Sequence, residues 1–373
     1  MSNLADKLVV LALDRLNGRT HTFGLLLTSL IEHLSQHVKN LTLLRHPQRA
    51  DLITAATAHE LLLPRWMQNH YVYSTTIALY LKRQGAHLVH YPFLFTPYDW
   101  WGVNIKRVVT IHGTSRASMN KQVVNRFNPL KLLRHRQALQ AFDAIITVSH
   151  ASKRDIIAHY DVPPEKVHVV YNGVGKQFHP SVDWQSTLAT YGVTGPYILS
   201  VSTIKPKKNV TATLRAFARL KQEGWPHQLV LVGHQPPGYS AVDEIIREQR
   251  LQPYVIQTGF VPADEIPKFY AGATMLVFPS LHEGFGLPVV EAFASGCPVI
   301  TSNVYSLPEV AGDAALYCNP EDVDDIHRQM SRVLTDSRLR QSLIEKGLAR
   351  ARLFSWEKAA AQIATIYAQL LEE

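Results

Sequence analysis

Cysteine is almost absent from this chain of 373 residues, which contains only Cys297 and Cys318. Two cysteines cannot build a disulfide-rich scaffold, and the chain lacks the closely spaced thiolate pairs of a structural zinc module. Its 18 histidines are scattered without the paired spacing that metal ligands show. The sequence therefore excludes a disulfide scaffold and predicts no metal site.

Long apolar runs are also lacking. No run approaches the roughly 18 residues that a membrane-spanning helix requires, and the apolar run at 8–13 stops at Asp14 and Arg15. Such a short run favours a buried first strand over a signal peptide. We therefore expect a cytoplasmic protein, and peripheral contact with the inner face of the membrane stays open.

Acidic residues are scarce in the first half of the chain. Residues 1–200 hold 21 Lys and Arg against 11 Asp and Glu, whereas residues 201–373 hold 17 against 19. No acidic residue interrupts the densest part of this excess, which we call the basic stretch: Lys106, Arg107, Arg116, Lys121, Arg126, Lys131, Arg134 and Arg136. It suggests an anionic partner, either phospholipid headgroups, a phosphate-bearing lipid acceptor or nucleic acid, unless it is simply a solvated face. Aromatic residues are sparse in it, which disfavours nucleic acid.

The length and pattern of the chain predict two α/β domains. Apolar runs bounded by turn residues alternate with helical patterns, as in parallel sheets covered by helices on both faces. In the first half we predict strands at 8–13, 41–44, 87–90, 107–111, 144–148 and 167–171, and helices at 22–35, 73–84, 129–141 and 152–159.

The second half repeats this alternation. Its predicted strands are 197–202, 228–232, 255–258, 275–279 and 298–301, and its predicted helices are 211–223, 241–249, 265–271 and 287–295. Three more helices are predicted at 323–334, 337–353 and 356–371, and a linker rich in Pro and Gly at 178–196.

The most informative segment is LHEGFGLPVVEAFASGCPVITSN at 281–303, in which Glu283 and Glu291 are eight positions apart. Gly284 and Gly286 permit positive φ and close backbone approach, and Pro288 suits the first turn of a helix. Carboxylates accept hydrogen bonds from sugar hydroxyls, and the N–H groups of a helix start attract anions. The segment therefore offers what a nucleotide-sugar needs.

This segment resembles the E-x7-E signature of retaining glycosyltransferases of the GT-B fold, in particular family 4 and its mannosyltransferase-like subgroup. Further motifs resemble that family in the same order: VTIHG at 109–113, IITVSHASKRD at 145–155, VVYNG at 169–173 and YILSVSTIKPKKNV at 197–210. The resemblance extends from about residue 86 to the C-terminus.

The resemblance implies two Rossmann-like, doubly wound parallel-sheet domains that face a cleft. Residues 1–180 would bind the acceptor, residues 181–355 would bind the nucleotide-sugar, and a C-terminal helix at 356–373 would cross back to the first domain. Phe354 and Trp356 would then be packing anchors.

For the donor, the resemblance implies a phosphate contact from Lys208 and hydroxyl contacts from two carboxylates, Glu283 to the donor sugar and Glu291 to the ribose. Many relatives carry an arginine five positions before that lysine, where this chain has Thr203. Lys205 and Arg116 are candidates for the missing positive contact. The complete set of predicted donor-binding residues is Thr203, Lys208, Phe260, Val261, Glu283, Gly284, Phe285, Gly286, Leu287 and Glu291.

His112 matches a strand-end histidine that lines the site beside the transferred sugar in this family. The resemblance thus assigns catalytic roles to Glu283, His112 and Lys208. On the acceptor side we expect Gly18, Arg19 and Arg116, although the loop at 17–20 is less glycine-rich than in relatives.

We expect metal-independent chemistry and no cofactor. The pattern Asp322-Val-Asp324 spells the metal-binding D-x-D motif of a different transferase fold, but here it lies in an acidic helix start. Gly173-Val-Gly175 is too short to be a dinucleotide fingerprint.

We therefore predict a retaining hexosyltransferase whose partners are a nucleoside diphosphate sugar and a glycan or lipid-linked acceptor, without nucleic acid. Residues 302–317 most resemble mannosyltransferases that use GDP-mannose in polysaccharide biosynthesis. A UDP-sugar donor is the main alternative, and a UDP-sugar epimerase of similar fold is a less favoured one, since it would need no acceptor.

Overall fold

The computed structural model describes residue 4 and residues 6–13, 21–46, 58–67, 70–93, 103–113 and 129–372. The chain forms two compact units. The first unit comprises Met1–Gly173 and Ser355–Glu373, and the second comprises Val174–Phe354. None of the helices in the described ranges is both long and apolar enough to cross a membrane.

The first unit contains a parallel sheet built from hydrophobic strands. Its strands are β1 Val9–Ala12, β2 Leu41–Arg45, β3 His59–Leu62, β4 Leu88–Tyr91, β5 Lys106–Ile111, β6 Ala144–Thr147 and β7 Val167–Val169. Their order across the sheet is β3-β2-β1-β4-β5-β6-β7. Both faces of the central strands are buried, which explains their continuous apolar sequences.

Strand β3 was not predicted from the sequence. Its sequence is HELL, and three of its four residues are exposed because it lies at the edge of the sheet. It carries neither the apolar run of a buried strand nor a clear alternation. Only its pairing with β2, which places Thr42 beside His59, makes it a strand.

Helices cover both faces of this sheet: α1 His21–Leu34, α2 His70–Arg83, α3 Pro129–Gln140, α4 His150–Tyr160 and the C-terminal α13 Trp356–Glu372. Helix α13 packs against α1, and Trp356 and Tyr367 are buried in the same core as Leu30. The last helix of the chain therefore belongs to the first unit.

A buried hydrogen-bond network joins α13 to the centre of this sheet. His90 on β4 contacts the Tyr367 hydroxyl through Nδ1 at 2.5 Å and Thr110 Oγ1 on β5 through Nε2 at 2.7 Å. Burial lowers the pKa of His90 to about 3, so the ring is neutral at pH 7. The network satisfies both ring nitrogens in a site that excludes solvent.

The second unit contains a parallel sheet of six strands: β8 Tyr197–Val201, β9 Gln228–Val232, β10 Val255–Gly259, β11 Met275–Phe278, β12 Val299–Ser302 and β13 Leu316–Cys318. Their order is β10-β9-β8-β11-β12-β13. This is the strand order of a dinucleotide-binding doubly wound sheet. The chain adds strands in one direction from β8 to β10 and in the opposite direction from β11 to β13, so the order reverses between β8 and β11. Ligands bind at the carboxyl ends of strands at such a switch point.

The helices of this unit are α5 Gln185–Thr190, α6 Val210–Gln222, α7 Ala241–Glu248, α8 Ile266–Ala271, α9 Leu287–Ala294, α10 Leu307–Ala311, α11 Val323–Thr335 and α12 Ser337–Ala351. Most match their predictions within two residues. The predicted linker at 178–196 is wrong in part, because it contains α5 with Leu188 buried. The sequence also failed to predict α10 and β13, which are only five and three residues long.

Cys297 and Cys318 are both buried and free. Burial raises the pKa of each thiol well above its usual range. Such thiols are inert packing groups.

Tyr367→Phe tests the buried network. The substitution leaves His90 Nδ1 without its partner, so we expect a loss of about 1–3 kcal/mol in the free energy of unfolding. Urea denaturation measures it. The matched control is Tyr160→Phe, since the Tyr160 hydroxyl has no hydrogen-bond partner in the described structure. Equal effects of the two substitutions would contradict the network's importance.

Candidate functional site

The candidate site lies at the switch point of the second unit. The loop after β8 carries Lys207 and Lys208, and the loop after β11 carries Glu283. The two loops are joined by a backbone hydrogen bond in which the Leu281 N–H donates to the Lys207 carbonyl at 2.8 Å. The topology of the sheet thus brings together motifs that are about 75 residues apart in sequence.

An ion pair forms the centre of the site. Lys208 Nζ donates to Glu283 Oε1 at 2.5 Å, and the side chains are only 16% and 10% exposed. The same carboxylate oxygen accepts a hydrogen bond of 2.7 Å from the hydroxyl of Ser280, which is fully buried. A carboxylate held in this way is oriented, because two hydrogen-bond donors hold the same oxygen.

The loop that carries Glu283 is held in place by buried serines. Ser306 Oγ lies 2.8 Å from the Glu283 carbonyl and 3.1 Å from the Phe285 carbonyl. Ser302 Oγ donates to the Ser280 carbonyl at 2.6 Å. The backbone of residues 280–285 is therefore preorganised.

The lysine loop is fixed by Asn209. Residues Pro206–Lys208 form a 3-10 turn, and Asn209 follows with φ 57, a left-handed conformation that asparagine tolerates well. Its side-chain amide donates to the Pro279 carbonyl at 3.2 Å and to the Pro320 carbonyl at 2.6 Å. Lys208 Nζ also lies 5.0 Å from the centroid of the Phe278 ring.

The neighbouring Lys207 shares this electrostatic environment. Burial lowers its pKa, and the charge of Glu283 opposes that effect. Two ammonium groups in one loop therefore face a single carboxylate. Such an excess of positive charge suits an anionic ligand.

A helix begins beside the carboxylate. Gly286 has φ 106, a conformation that favours glycine, and a Cβ at this position would also press on Leu307 Cδ2 at 2.7 Å. Helix α9 starts at Leu287 with Pro288 in its first turn. The first N–H groups of a helix have no intrahelical acceptor and form an anion site.

Glu291 lies on α9, as predicted. Its Oε2 accepts a hydrogen bond of 2.8 Å from the hydroxyl of Tyr270, which is buried. Burial raises the pKa of Glu291 to about 7, and the hydrogen bond from Tyr270 opposes this rise. Near neutral pH the carboxyl is thus poised between its two protonation states.

The remaining donor-side residues predicted from the sequence follow strands β8, β10 and β11 of the same unit. Thr203 follows β8 and is exposed, and Phe260 follows β10 and is 59% exposed. Val261 and Phe285 have buried side chains, and Phe285 packs edge-on against Phe354 at 5.6 Å. Only the backbones of these two residues, and of partly buried Gly284, are suited to contact a ligand.

His112 lies in the first unit, directly after β5. Its Nε2 contacts the Pro92 carbonyl at 3.0 Å, and burial lowers its pKa to about 4. It lines a cavity of about 30 Å³ together with apolar side chains of α1 and α13, including Leu26 and Trp356. At pH 7 its ring is therefore a neutral hydrogen-bonding group.

The predicted acceptor residues Gly18, Arg19 and Arg116 lie outside the described residues, as do Lys121 and Arg126 of the basic stretch. Within its described part, Arg107 pairs with Asp143 and Arg136 pairs with Asp161. Acidic residues from elsewhere in the fold thus offset part of the basic stretch.

The D-x-D pattern is part of a helix cap. Asp322 precedes α11, and its Oδ1 accepts hydrogen bonds from the Asp324 and Asp325 N–H groups at 2.9 and 3.2 Å. Asp324 forms an ion pair with Arg219. In the part of the chain described by the structure, no group of three His, Cys, Asp or Glu side chains is arranged to hold a metal ion.

Sequence reasoning missed the residues that support the two glutamates. Ser280 and Ser306 bond to Glu283 or its backbone, and Tyr270 bonds to Glu291. Tyr270 lies near the end of the short helix α8 within an apolar pattern, so no local signal indicates its contact. Ser280 could have been suspected, because it follows β11 directly.

Comparison with known proteins identifies the families that both halves of the chain resemble. The family "Glycosyltransferase Family 4" matches residues 24–177, and the family "Glycosyl transferases group 1" matches residues 192–350. Each half of the chain thus matches a glycosyltransferase family, and the two parallel-sheet domains have the GT-B fold.

Several curated relatives are mannosyltransferases. The chain is 32% identical to O-antigen chain mannosyltransferase B of Escherichia coli over 235 residues, 62% of either protein. It is 33% identical to the MMP alpha-(1->4)-mannosyltransferase of Mycolicibacterium hassiacum, over 66% of this chain and 59% of that protein. The chain thus spans less than two thirds of the length of these relatives.

Solved structures share the fold over nearly the whole chain. Sucrose-phosphate synthase from Thermosynechococcus elongatus superposes with a TM-score of 0.80 at 20% identity, covering 98% of this chain and 99% of that chain. Anabaena HepE, solved in complex with UDP-glucose, gives 0.75 at 17% identity, covering 97% and 99%.

Glu291→Gln tests the environment of the second glutamate. The pKa of Glu291 is raised from 4.5 to about 7, so the folded state binds more protons than the unfolded state between these values. The stability that protonation contributes is complete below pH 4.5 and is lost as the pH rises through about 7. Wild type should lose on the order of 2 kcal/mol more than the variant over this window.

Urea denaturation at pH 5 and pH 8 measures this difference. The matched control is Glu265→Gln, which removes a carboxylate that accepts from Tyr191 away from the candidate site. The control should keep the wild-type pH dependence. Identical pH dependence in wild type and Glu291→Gln would refute the burial argument.

Proposed function

We propose that this chain is a retaining, metal-independent glycosyltransferase that moves a hexose from a nucleoside diphosphate sugar to a hydroxyl group of a glycan or lipid-linked acceptor. The observation that carries the proposal is the Lys208–Glu283 ion pair, held at the switch point beside the first turn of α9. It combines a cation for a phosphate with an oriented acceptor for hydroxyl groups.

Lys208 would bind the diphosphate of the donor. Its ammonium lies in a loop with a second lysine, and α9, which begins at Leu287 after Glu283, adds N–H donors. As the bond to the sugar breaks, negative charge accumulates on the leaving phosphate oxygen. Preorganised positive charge stabilises this transition state more than the ground state.

The two glutamates would bind the two sugars of the donor. Glu283 is oriented, so it can accept hydrogen bonds from hydroxyls of the transferred hexose. Glu291 would accept from the ribose hydroxyls, which favour its ionised form. Donor binding should therefore lower the pKa of Glu291 and release protons near pH 7.

Retention of anomeric configuration requires either a double displacement or attack on the face from which the phosphate leaves. Glu283 is engaged by Lys208 and Ser280, which suits a hydrogen-bond acceptor better than a nucleophile. We therefore favour same-face attack assisted by the departing phosphate. His112 would orient the transferred sugar, since a ring with a pKa of about 4 is a poor proton donor at pH 7.

The proposed donor is GDP-mannose and the proposed process is polysaccharide biosynthesis. The names of the curated relatives support both, because they include mannosyltransferases of O-antigen chains. A UDP-sugar is the second candidate, since HepE shares the fold and was solved with UDP-glucose. We place the reaction in the cytoplasm, where the basic stretch would contact an anionic membrane or a lipid-linked acceptor.

Glu283→Gln tests the role of the first glutamate. The amide keeps the shape of the side chain but loses the charge, so we expect turnover with GDP-mannose to fall at least about 100-fold. The folded state should persist, as judged by circular dichroism. Glu265→Gln is the matched control and should keep wild-type turnover. Unchanged turnover in Glu283→Gln would remove this residue from the mechanism.

A thermal-shift screen tests the nucleotide site. A ligand at 100 times its dissociation constant stabilises the protein by about 2.7 kcal/mol, which raises the midpoint of a domain of this size by roughly 5 °C or more. We expect this shift with GDP and GDP-mannose, and a smaller one with UDP. A larger shift with UDP than with GDP would show that the donor carries uracil and not guanine.

The same screen with Lys208→Gln should show little shift for any nucleotide. Lys176→Gln makes the same charge change at an exposed position of the second unit and should behave as wild type. Equal shifts for the two variants would refute the phosphate contact.

A further inference from the structure

Tyr305 has a backbone conformation that is unusual for its residue type. Its φ is 55, in the left-handed region, where bulky side chains are rarely found outside functional sites. The other described residues with positive φ, glycine aside, are Asp161, Asn209 and Arg250. Tyr305 is thus the one aromatic residue among them. The residues around Tyr305 must therefore stabilise this conformation.

The residues after Tyr305 are attached to the loop that carries Glu283. Ser306 contributes the two hydrogen bonds to the Glu283 and Phe285 carbonyls. Leu307 packs over Gly286, and a Cβ at position 286 would lie 2.7 Å from its Cδ2. The segment 305–307 therefore lies along the loop 282–286 and cannot move independently of it.

Tyr305 itself contacts the residue next to the carboxylate. Its ring centroid lies 4.0 Å from that of His282, with the two rings at 76°. His282 is buried, being only 4% exposed, whereas Tyr305 is 39% exposed. The contact holds the tyrosine ring against the neighbour of Glu283 in the chain, while part of Tyr305 stays exposed to solvent.

We infer that Tyr305 forms a hexose-packing subsite with Glu283, in which the aromatic ring contacts the C–H face of the donor sugar while the carboxylate accepts from its hydroxyls. This inference rests on the proposed function and adds a residue to its sugar site. A hexose has apolar C–H faces and a polar rim, so it is complementary to an aromatic ring next to a carboxylate. Polarised C–H groups are attracted to the negative face of the ring.

The strained conformation then has a function. A glycine at position 305 would adopt φ 55 without strain, but it would leave the hexose without an apolar surface. Tyr305 would discriminate among hexoses by contact with the C–H groups, because an axial hydroxyl on the packed face would separate sugar and ring. It is therefore a specificity residue for the sugar and has no role in binding the diphosphate.

Calorimetric titration of GDP and GDP-mannose separates these roles. We expect Tyr305→Gly to weaken GDP-mannose binding roughly tenfold, equivalent to about 1.4 kcal/mol, and to leave GDP binding within twofold of wild type. Tyr305→Phe keeps the ring and should bind both ligands as wild type does. If wild type binds UDP in place of GDP, UDP-glucose and UDP are used as the pair.

Arg250→Gly is the matched control, because Arg250 has φ 54 and is exposed outside the candidate site. It should change neither affinity. Melting temperatures of all variants identify any that fail to fold. If Tyr305→Gly fails to fold, Tyr305→Leu replaces it. Because leucine keeps an apolar side chain, we then expect an intermediate loss of GDP-mannose affinity.

Two results would overturn the inference while the proposed function stands. One is an unchanged ratio of GDP-mannose to GDP affinity in Tyr305→Gly, and the other is an equal loss in Tyr305→Phe, which would assign the effect to the hydroxyl group. If wild type binds neither GDP, UDP nor their sugars, the proposed function fails and this subsite fails with it.

Discussion

The candidate site depends on one charged contact, the ion pair between Lys208 and Glu283. The two residues follow different strands, and only the parallel order of the second sheet brings them together at its switch point. An ion pair in a partly buried position is stable only when further hydrogen bonds satisfy its members. Ser280 supplies one of these bonds, and the surrounding serines hold the backbone.

This arrangement links fold to chemistry. A doubly wound sheet places loop residues at the carboxyl ends of neighbouring strands, where helix starts add further N–H donors. The cation and the carboxylate neutralise each other in the free protein, so the site is stable without a ligand. A diphosphate sugar offers one group to each of them, a phosphate to the lysine and a hydroxyl to the carboxylate.

Much of the fold and of the candidate site could be predicted from the sequence, because the sequence patterns that indicate them are local. The strand at 228–232 was predicted to the residue, because a buried parallel strand is a continuous apolar run between turns. The glycine turn before α9 and the positions of Glu283, Glu291 and Lys208 follow from motif spacing. Two α/β domains follow from length and alternation, and the observed sheets confirm them.

The features that could not be predicted depend on contacts between residues that are far apart in the sequence. The hydrogen bond from Tyr270 to Glu291 has no sequence signal, because it arises only when α8 and α9 pack together. The raised pKa of Glu291 likewise depends on burial by that packing. The exposed edge strand β3 has no apolar pattern, and the left-handed conformation of Tyr305 has no sequence signal, because tyrosine disfavours it.

The most direct test of this account is a crystal structure of the protein with GDP or UDP bound. The account predicts the diphosphate in contact with Lys208 Nζ and the first turn of α9, and the ribose hydroxyls within hydrogen-bond distance of Glu291. A nucleotide bound away from the carboxyl ends of β8 and β11 would contradict it.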